Sequence, residues 1–351
     1  MWSNLRKLAT AHTTFRFYQI LKLVLLNWKN TGKKIWKRTW QTLLVLFCTL
    51  MVLEVAYRYQ WIDFFKTEFN ALNKNIKSNQ PNVLVFGDSF TAYPNGYVSH
   101  FRKAHPEINV VNCSMPGSGP YEMELMASRR ISDYPPKAVI YQMYVGNDLT
   151  DIDPLVNWGE LSFSRNCYWS VKPYFEIFGL FSRRLSGLQS DFDPRKLKQD
   201  DAKFSRKLYS PRTKMMIRAE SDYINHSIKL KGDMHDAMED AKASIQYLRE
   251  LVPKKVPIFI VIIPHFSQVT KEYNKNYEQL SGRKSSMKVN YRFVREISKV
   301  KGVNVLNPMR YFREMESNVQ QLYYSNDPHL NEVGQKALFD FLSEETKAIW
   351  Q

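Results

Sequence analysis

Ile258-Phe259-Ile260-Val261-Ile262-Ile263 is the most strand-like run in this chain, six apolar residues with no polar alternation. A strand of that kind must bury both faces, as happens in a parallel sheet covered by helices on each side. The residues before it agree. Met234, Ala237, Met238, Ala241, Ile245, Leu248 and Val252 recur at helical spacing, and Pro253 stops them. Further toward the N-terminus, Ala138 to Val145 (AVIYQMYV), Ile108 to Val111 and Val83 to Phe86 read as three more strands. Helices suit Tyr97 to Lys103 and Tyr121 to Ile131 between them. Toward the C-terminus come a helix with Val294 and Ile297, a strand over Val303 to Leu306, and a last helix with Val333, Ala337, Leu338, Phe341 and Leu342. Five apolar strands alternating with helices predict an α/β fold, a flavodoxin-like three-layer α/β/α domain on a mostly parallel five-stranded sheet. In such sheets ligands bind beyond the carboxyl ends of the strands, so chemistry is expected in the loops after the first three.

Composition agrees with a folded chain. It has 351 residues, 44% of them hydrophobic, while 13 Gly and 16 Pro exclude collagenous or low-complexity classes. Three cysteines, Cys48, Cys113 and Cys167, are too few and too scattered for a disulfide scaffold or a paired zinc site, and allow at most the bridge Cys113 to Cys167. Nine Lys or Arg and no acid occupy residues 1 to 39, out of a net charge of +16. The first acid is Glu54, just after the apolar run Thr42 to Leu53 (TLLVLFCTLMVL). Trp40 to Tyr59 is long enough to cross about 30 Å of hydrocarbon, with Trp40, Tyr57, Tyr59 and Trp61 as interfacial aromatics. A cleaved signal peptide and a buried core helix are the alternatives. The 39 residues ahead of the run, and the lack of an Ala-x-Ala site in VLEVAYRYQ, favour an uncleaved anchor.

The positive-inside rule then places the basic flank in the cytoplasm and the rest in the periplasm, or outside, of a bacterial cell. Phe17 to Trp28 fits an amphipathic helix on the inner leaflet. The basic residues are read as a topology signal, with no nucleic-acid partner, because no reading motif accompanies them. The expected organisation is a cytoplasmic basic segment (1–39), a single-pass transmembrane anchor in the cytoplasmic membrane (40–59), a linker (60–80) and a domain over 81–351. Residues 155–232, rich in basic residues, Pro and aromatics, read as an insertion over the site mouth, a lid or partner surface.

Four loops carry residues with chemical potential. The first strand runs into Gly87-Asp88-Ser89-Phe90-Thr91, where a serine after a buried strand is placed either as a nucleophile at the opening of a helix or as an ordinary cap. The second leads to Asn112-Cys113-Ser114-Met115-Pro116-Gly117-Ser118-Gly119, in which Gly117 either presents an N–H to a substrate oxygen or merely turns the chain. After the third stands Gly146-Asn147-Asp148, where the Asn147 amide is a turn residue or an oxyanion donor. Before the last helix, Asn326-Asp327-Pro328-His329 sets a carboxylate beside an imidazole. Each is weak alone. Together they supply a nucleophile, two oxyanion donors and a base with its acid, all at loop ends that this fold gathers. His265, after the strongest strand, is the other well-placed histidine and is expected to line the pocket.

GDSF at 87–90, NCSMPG at 112–117, GND at 146–148 and the Asp327/His329 pair resemble the sequence blocks of the SGNH or GDSL-type serine hydrolases, over about residues 82–346. That resemblance implies Ser89 as nucleophile, an oxyanion hole from the Ser89 and Gly117 N–H groups with the Asn147 side chain, His329 as base and Asp327 as its partner. The commonest family spacing is Asp-x-x-His, which here would fall on Asn326. The tighter Asp-x-His spacing is similar to that of the alginate O-acetylation proteins of the wider family. A Ser–His dyad oriented by a backbone carbonyl is the alternative if Asp327 does not reach His329.

The implied activities are an esterase acting on O-acyl groups of envelope glycan or lipid, or an O-acyltransferase serving a surface polysaccharide beside a multi-span membrane partner. A non-catalytic subunit of a membrane complex is the third reading. No cofactor is expected, since no metal-ligand cluster or nucleotide loop is present in the sequence.

Overall fold

The computed structural model describes residues 33–152, 163–172, 174–185, 203–285, 290–317 and 321–351. Contacts divide the chain into Met1–Ala56 and Tyr57–Gln351. Among the described residues, one helix, Lys33–Arg58, is long and apolar enough to span a membrane: 26 residues, mean hydropathy 1.7, with 11% of its most apolar window buried. At 1.5 Å per residue it rises about 39 Å, more than a hydrocarbon core requires. It starts ahead of the expected Trp40 and takes in Lys33, Lys34, Lys37 and Arg38. The basic segment up to residue 32, with the amphipathic stretch Phe17 to Trp28, lies outside the described residues.

The second unit is built on five strands: β1 (Asn82–Phe86), β2 (Asn109–Asn112), β3 (Pro136–Tyr144), β4 (Ile258–Ile263) and β5 (Asn304–Leu306). Their order is β2-β1-β3-β4-β5, and every neighbouring pair is parallel. The α/β expectation holds, with the flavodoxin-like order, and all six residues of β4 are buried. Crossovers are right-handed, so reversing their direction changes the face on which the helix lies. The helix Tyr97–Ala104 leads outward from β1 to β2, whereas Pro120–Asp133 carries the chain back past β1 to β3. These two therefore lie on opposite faces. Met234–Leu251, which runs on to β4, packs with Pro120–Asp133, and the last helix, Glu332–Glu345, packs with Tyr97–Ala104. Each layer turns its apolar stripe inward: Met123, Met126 and Ala127 with Ala241, Ile245 and Leu248 on one side, Phe101 with Ala337, Leu338 and Leu342 on the other.

The polar stretch 66–80 is tied to the domain by side-chain amides. It contains the helix Lys66–Leu72, whose Phe69 is buried. Asn73 donates to the Asn112 carbonyl (2.7 Å) and accepts from its N–H (2.8 Å), standing in for a neighbouring strand at the edge of β2. Asn109 makes the same reciprocal pair with the backbone of Lys77 at 3.0 and 2.6 Å. Of the insertion 155–232, residues 163–172, 174–185 and 203–232 are described, and they are helical at Phe163–Val171, Ile177–Leu185, Pro211–Ala219 and Tyr223–Lys229. Tyr209, Tyr223, Ile224 and Ile228 from its last part join the hydrophobic core. Cys113 is a buried free thiol and Cys167 an exposed one, so the bridge allowed by the sequence is not formed.

Candidate active site

The chain leaves β1 through a turn. Asp88 Oδ1 accepts the Phe90 N–H (2.9 Å), and the Asp88 carbonyl accepts the Ala92 N–H (3.0 Å). Gln142, in the middle of β3, reaches across the sheet: its Oε1 accepts from the Asp88 N–H (3.2 Å) and from the Thr91 hydroxyl (2.9 Å). Ser89 is thus held at the apex of a braced turn, well before the helix that begins at Tyr97. The sequence suggested the opening of a helix; the Asx turn and the Gln142 brace take over the local hydrogen bonds instead.

The second loop is stitched beneath the first. Met115 N–H donates to the Gly87 carbonyl (3.0 Å), the Asn112 amide to the Thr91 carbonyl (3.0 Å), and the Ser118 hydroxyl to the Met115 carbonyl (2.7 Å). Gly117 has φ +67°, a left-handed conformation open to glycine. In the third loop, Asp148 Oδ2 accepts the Tyr144 N–H (3.0 Å), and the Asn147 amide donates to Asp151 Oδ2 (2.6 Å). That bond fixes the amide and leaves it one further N–H to offer. The Tyr144 ring packs at a tilt against Phe90, with centroids 4.4 Å apart, joining the end of β3 to the serine turn.

The fourth loop brings the imidazole. Ser89 Oγ and His329 Nε2 are 2.7 Å apart. On the other side of the ring, His329 Nδ1 hydrogen-bonds Asp327 Oδ1, which also accepts the His329 N–H at 3.0 Å. With a carboxylate facing Nδ1, that nitrogen carries the proton, so Nε2 is the acceptor for the serine hydroxyl. The Phe90 ring lies 4.8 Å from the imidazole. Two local contacts close the loop. Tyr323 and Leu330 bridge across its base, and Asn331 caps the last helix through the Gly334 N–H (2.9 Å). From that helix, buried Gln335 donates to the Phe90 carbonyl (3.0 Å) and accepts from the Tyr97 N–H (3.1 Å).

No family model matches this chain, and no curated protein matches it. Among solved structures it is similar to a catalytic mutant of an acetylxylan esterase from Geobacillus stearothermophilus, at 13% identity, over 77% of this chain and 95% of that one, with a TM-score of 0.38. An alpha/beta hydrolase from the metagenome of Lake Arreo, Spain, gives 12%, 77%, 96% and 0.37 for the same quantities. TesA gives 13%, 76%, 99% and 0.34.

Ser89, Asp327 and His329 therefore form one hydrogen-bonded chain, with the Gly117 loop bonded to the residues just before Ser89. Ser89 is 9% exposed and the His329 side chain 15%. Asn326, three residues before His329, turns the other way, toward the backbone of residues 203–210. His265 is fully buried, with Nδ1 2.7 Å from the Ser267 hydroxyl and its ring between Phe266 and Tyr277, so it lines no open pocket. Burial pushes its imidazole down to about 3, which keeps it neutral. Among the described residues, no group of three or more His, Cys, Asp or Glu is placed to hold a metal ion. The braces Gln142 and Gln335 were not singled out from the sequence, although a glutamine inside the apolar run AVIYQMYV is itself a signal, because a buried amide needs partners.

Two buried carboxyls lie behind the serine turn, Asp88 and Asp148, and each keeps one oxygen without a hydrogen-bond partner. Burial, reinforced by the charge of Asp88, raises Asp148 well above the carboxylate range. For Asp88, burial dominates and raises the pKa from 3.8 to about 6, against the Phe90 N–H and the His329 charge. A carboxyl that holds its proton more tightly in the folded state adds stability below its unfolded pKa, and that stability is lost as pH rises through the folded value. Asp88→Asn keeps an acceptor for the Phe90 N–H and removes the titration. Relative to this variant, the parent is expected to lose stability between roughly pH 4 and pH 6. Denaturant melts across that range check it, and parallel curves for the two proteins would contradict it.

Proposed function

We propose that this chain is a serine ester hydrolase that acts through an acyl-serine on O-acyl groups of glycan or lipid at a bacterial envelope. The observation that carries this reading is the 2.7 Å contact between Ser89 Oγ and His329 Nε2, with Asp327 on the opposite ring nitrogen. His329 takes the hydroxyl proton as Ser89 Oγ forms a bond to the ester carbonyl carbon, and Asp327 stabilises the imidazolium. The carbonyl oxygen becomes an oxyanion, held by the Ser89 and Gly117 N–H groups and by the remaining N–H of Asn147. When the carbon–oxygen bond to the alcohol breaks, His329 returns the proton to the leaving oxygen. Water then repeats the sequence on the acyl-serine and restores the hydroxyl.

The apolar helix Lys33–Arg58 supports a single-pass anchor in the cytoplasmic membrane, with the basic N-terminal segment inside and the domain in the periplasm or outside. An acylated envelope carbohydrate or lipid is the substrate class that such tethering favours. The low exposure of Ser89 favours a second reading, acyl transfer to a polysaccharide with a multi-span membrane partner as donor, because water would be partly excluded.

Turnover of an activated acetyl ester by the full chain in detergent, with and without an oligosaccharide, tests this reading. Acetate release is expected to exceed transfer, and Asn147→Ala to lower turnover about a hundredfold. Acetyl recovered chiefly on the oligosaccharide would select transfer, and turnover indifferent to Asn147→Ala would remove Asn147 from the oxyanion hole.

A further inference from the structure

Asn326 precedes the acid of the Ser89–His329–Asp327 chain, and three of its bonds lead to the insertion. Its Oδ1 accepts the Ser205 N–H (2.7 Å), its Nδ2 donates to the Lys203 carbonyl (3.1 Å), and its own carbonyl accepts the Ser210 N–H (2.8 Å). Three hydrogen bonds thus hold the arm Lys203–Ser210 against the residue next to Asp327. The arm also delivers Tyr209, 1% exposed, whose ring stands 6.0 Å from Phe266 and 6.2 Å from Phe204. Burial and the nearby charge of Asp327 keep the Tyr209 hydroxyl neutral. On its other side, Asp327 Oδ1 serves both the N–H and the ring of His329.

A carboxylate that orients a histidine across a single intervening residue has little freedom to adjust. Small rotations of the 326–327 backbone change its angle to the imidazole directly, and misplacement of about 1 Å in such machinery costs on the order of a hundredfold in rate. The insertion arm restrains that backbone through the bonds of Asn326 to Lys203, Ser205 and Ser210. We propose that Asn326 is a positioning residue, which fastens the insertion arm to Asp327 and so makes the orientation of His329 depend on the insertion. The arm is then a working part of the acid–base apparatus as well as a cover over the fold.

This inference rests on the serine-hydrolase reading, and the test separates the two. The probe is a fluorophosphonate, and the readout is the rate of Ser89 labelling per folded molecule of the full chain, for Asn326→Ala and Asn326→Asp in the parent and in an Asp327→Asn background. Asn326→Ala is expected to slow labelling about tenfold in the parent, and less than twofold once Asp327 is already disabled. Asn326→Asp keeps the acceptor for Ser205 but loses the donor to Lys203, and falls between Asn326→Ala and the parent. Equal losses in both backgrounds, or no loss in the parent, would overturn the proposal, because a merely structural asparagine acts independently of Asp327. A parent chain whose Ser89 does not label at all would take down the hydrolase reading and this one together.

Discussion

Asp327→Asn is expected to lower kcat toward an activated ester by about ten-thousandfold while leaving the fold intact. The argument is one of proton placement. Asp327 accepts from His329 Nδ1, and that bond fixes the tautomer in which Nε2 faces the Ser89 hydroxyl as an acceptor. An amide at 327 can offer an N–H to Nδ1, which moves the ring proton to Nε2 and leaves the serine without a base. The oxygen that faces Nδ1 also accepts the His329 N–H, so an amide nitrogen in its place gives up that backbone bond, at a cost of about 1–3 kcal/mol that leaves the chain folded. Thermal melts beside ester turnover check both halves. Turnover within tenfold of the parent would mean that another group orients His329.

Gly334→Ala is expected to destabilise the protein by about 3 kcal/mol and to disable the site with it. A methyl group at Gly334 would stand 2.1 Å from the Leu322 carbonyl oxygen and 2.8 Å from Leu330 Cδ2. The first contact is with backbone, which cannot swing aside. The same carbonyl accepts the Asn331 N–H (2.9 Å), and Tyr324 N–H donates to the His329 carbonyl (3.1 Å), so these bonds close the loop that carries the imidazole. Relieving the clash means opening that closure. Thermal denaturation, followed by fluorophosphonate labelling below the midpoint, should show both losses. An unchanged midpoint would mean that the loop and last helix separate at little cost.

Much of this molecule was legible because its signals are local. The unbroken run of β4 announced a doubly covered strand, and the apolar spacing from Met234 onward marked the helix before it. The strands fell within two residues of their observed limits, with the largest difference at the start of β3, Pro136, which an apolar count overlooks. The four loops stood out because turns after buried strands concentrate Gly, Asn, Asp and Ser, the same residues that acylation chemistry employs. What escaped the sequence is the bracing. Gln142 on the Asp88 turn, Gln335 on Phe90, Asn73 and Asn109 on the edge of β2, and Asn326 on the insertion are all side-chain amides bonded to backbone far away in sequence. Such bonds have no periodicity, and apart from Gln142, set inside an apolar run, nothing in a single chain marks which amide is committed and which is merely solvated. The short Asp-x-His spacing was ambiguous for a related reason, since whether Asp327 reaches Nδ1 depends on the Tyr323–Leu330 closure, which no local pattern records.

The central claim is that Ser89 becomes acylated, and peptide mass spectrometry of the full chain, quenched in acid after brief exposure to an activated acetyl ester, tests it most directly. The account predicts one acetyl group on the peptide containing Ser89, depleted in Ser89→Ala and in His329→Ala and lost with time as water or an acceptor takes the acyl group. An unmodified Ser89 in a folded chain that nevertheless turns the ester over, or acetyl of equal amount on the Ser89→Ala protein, would contradict it.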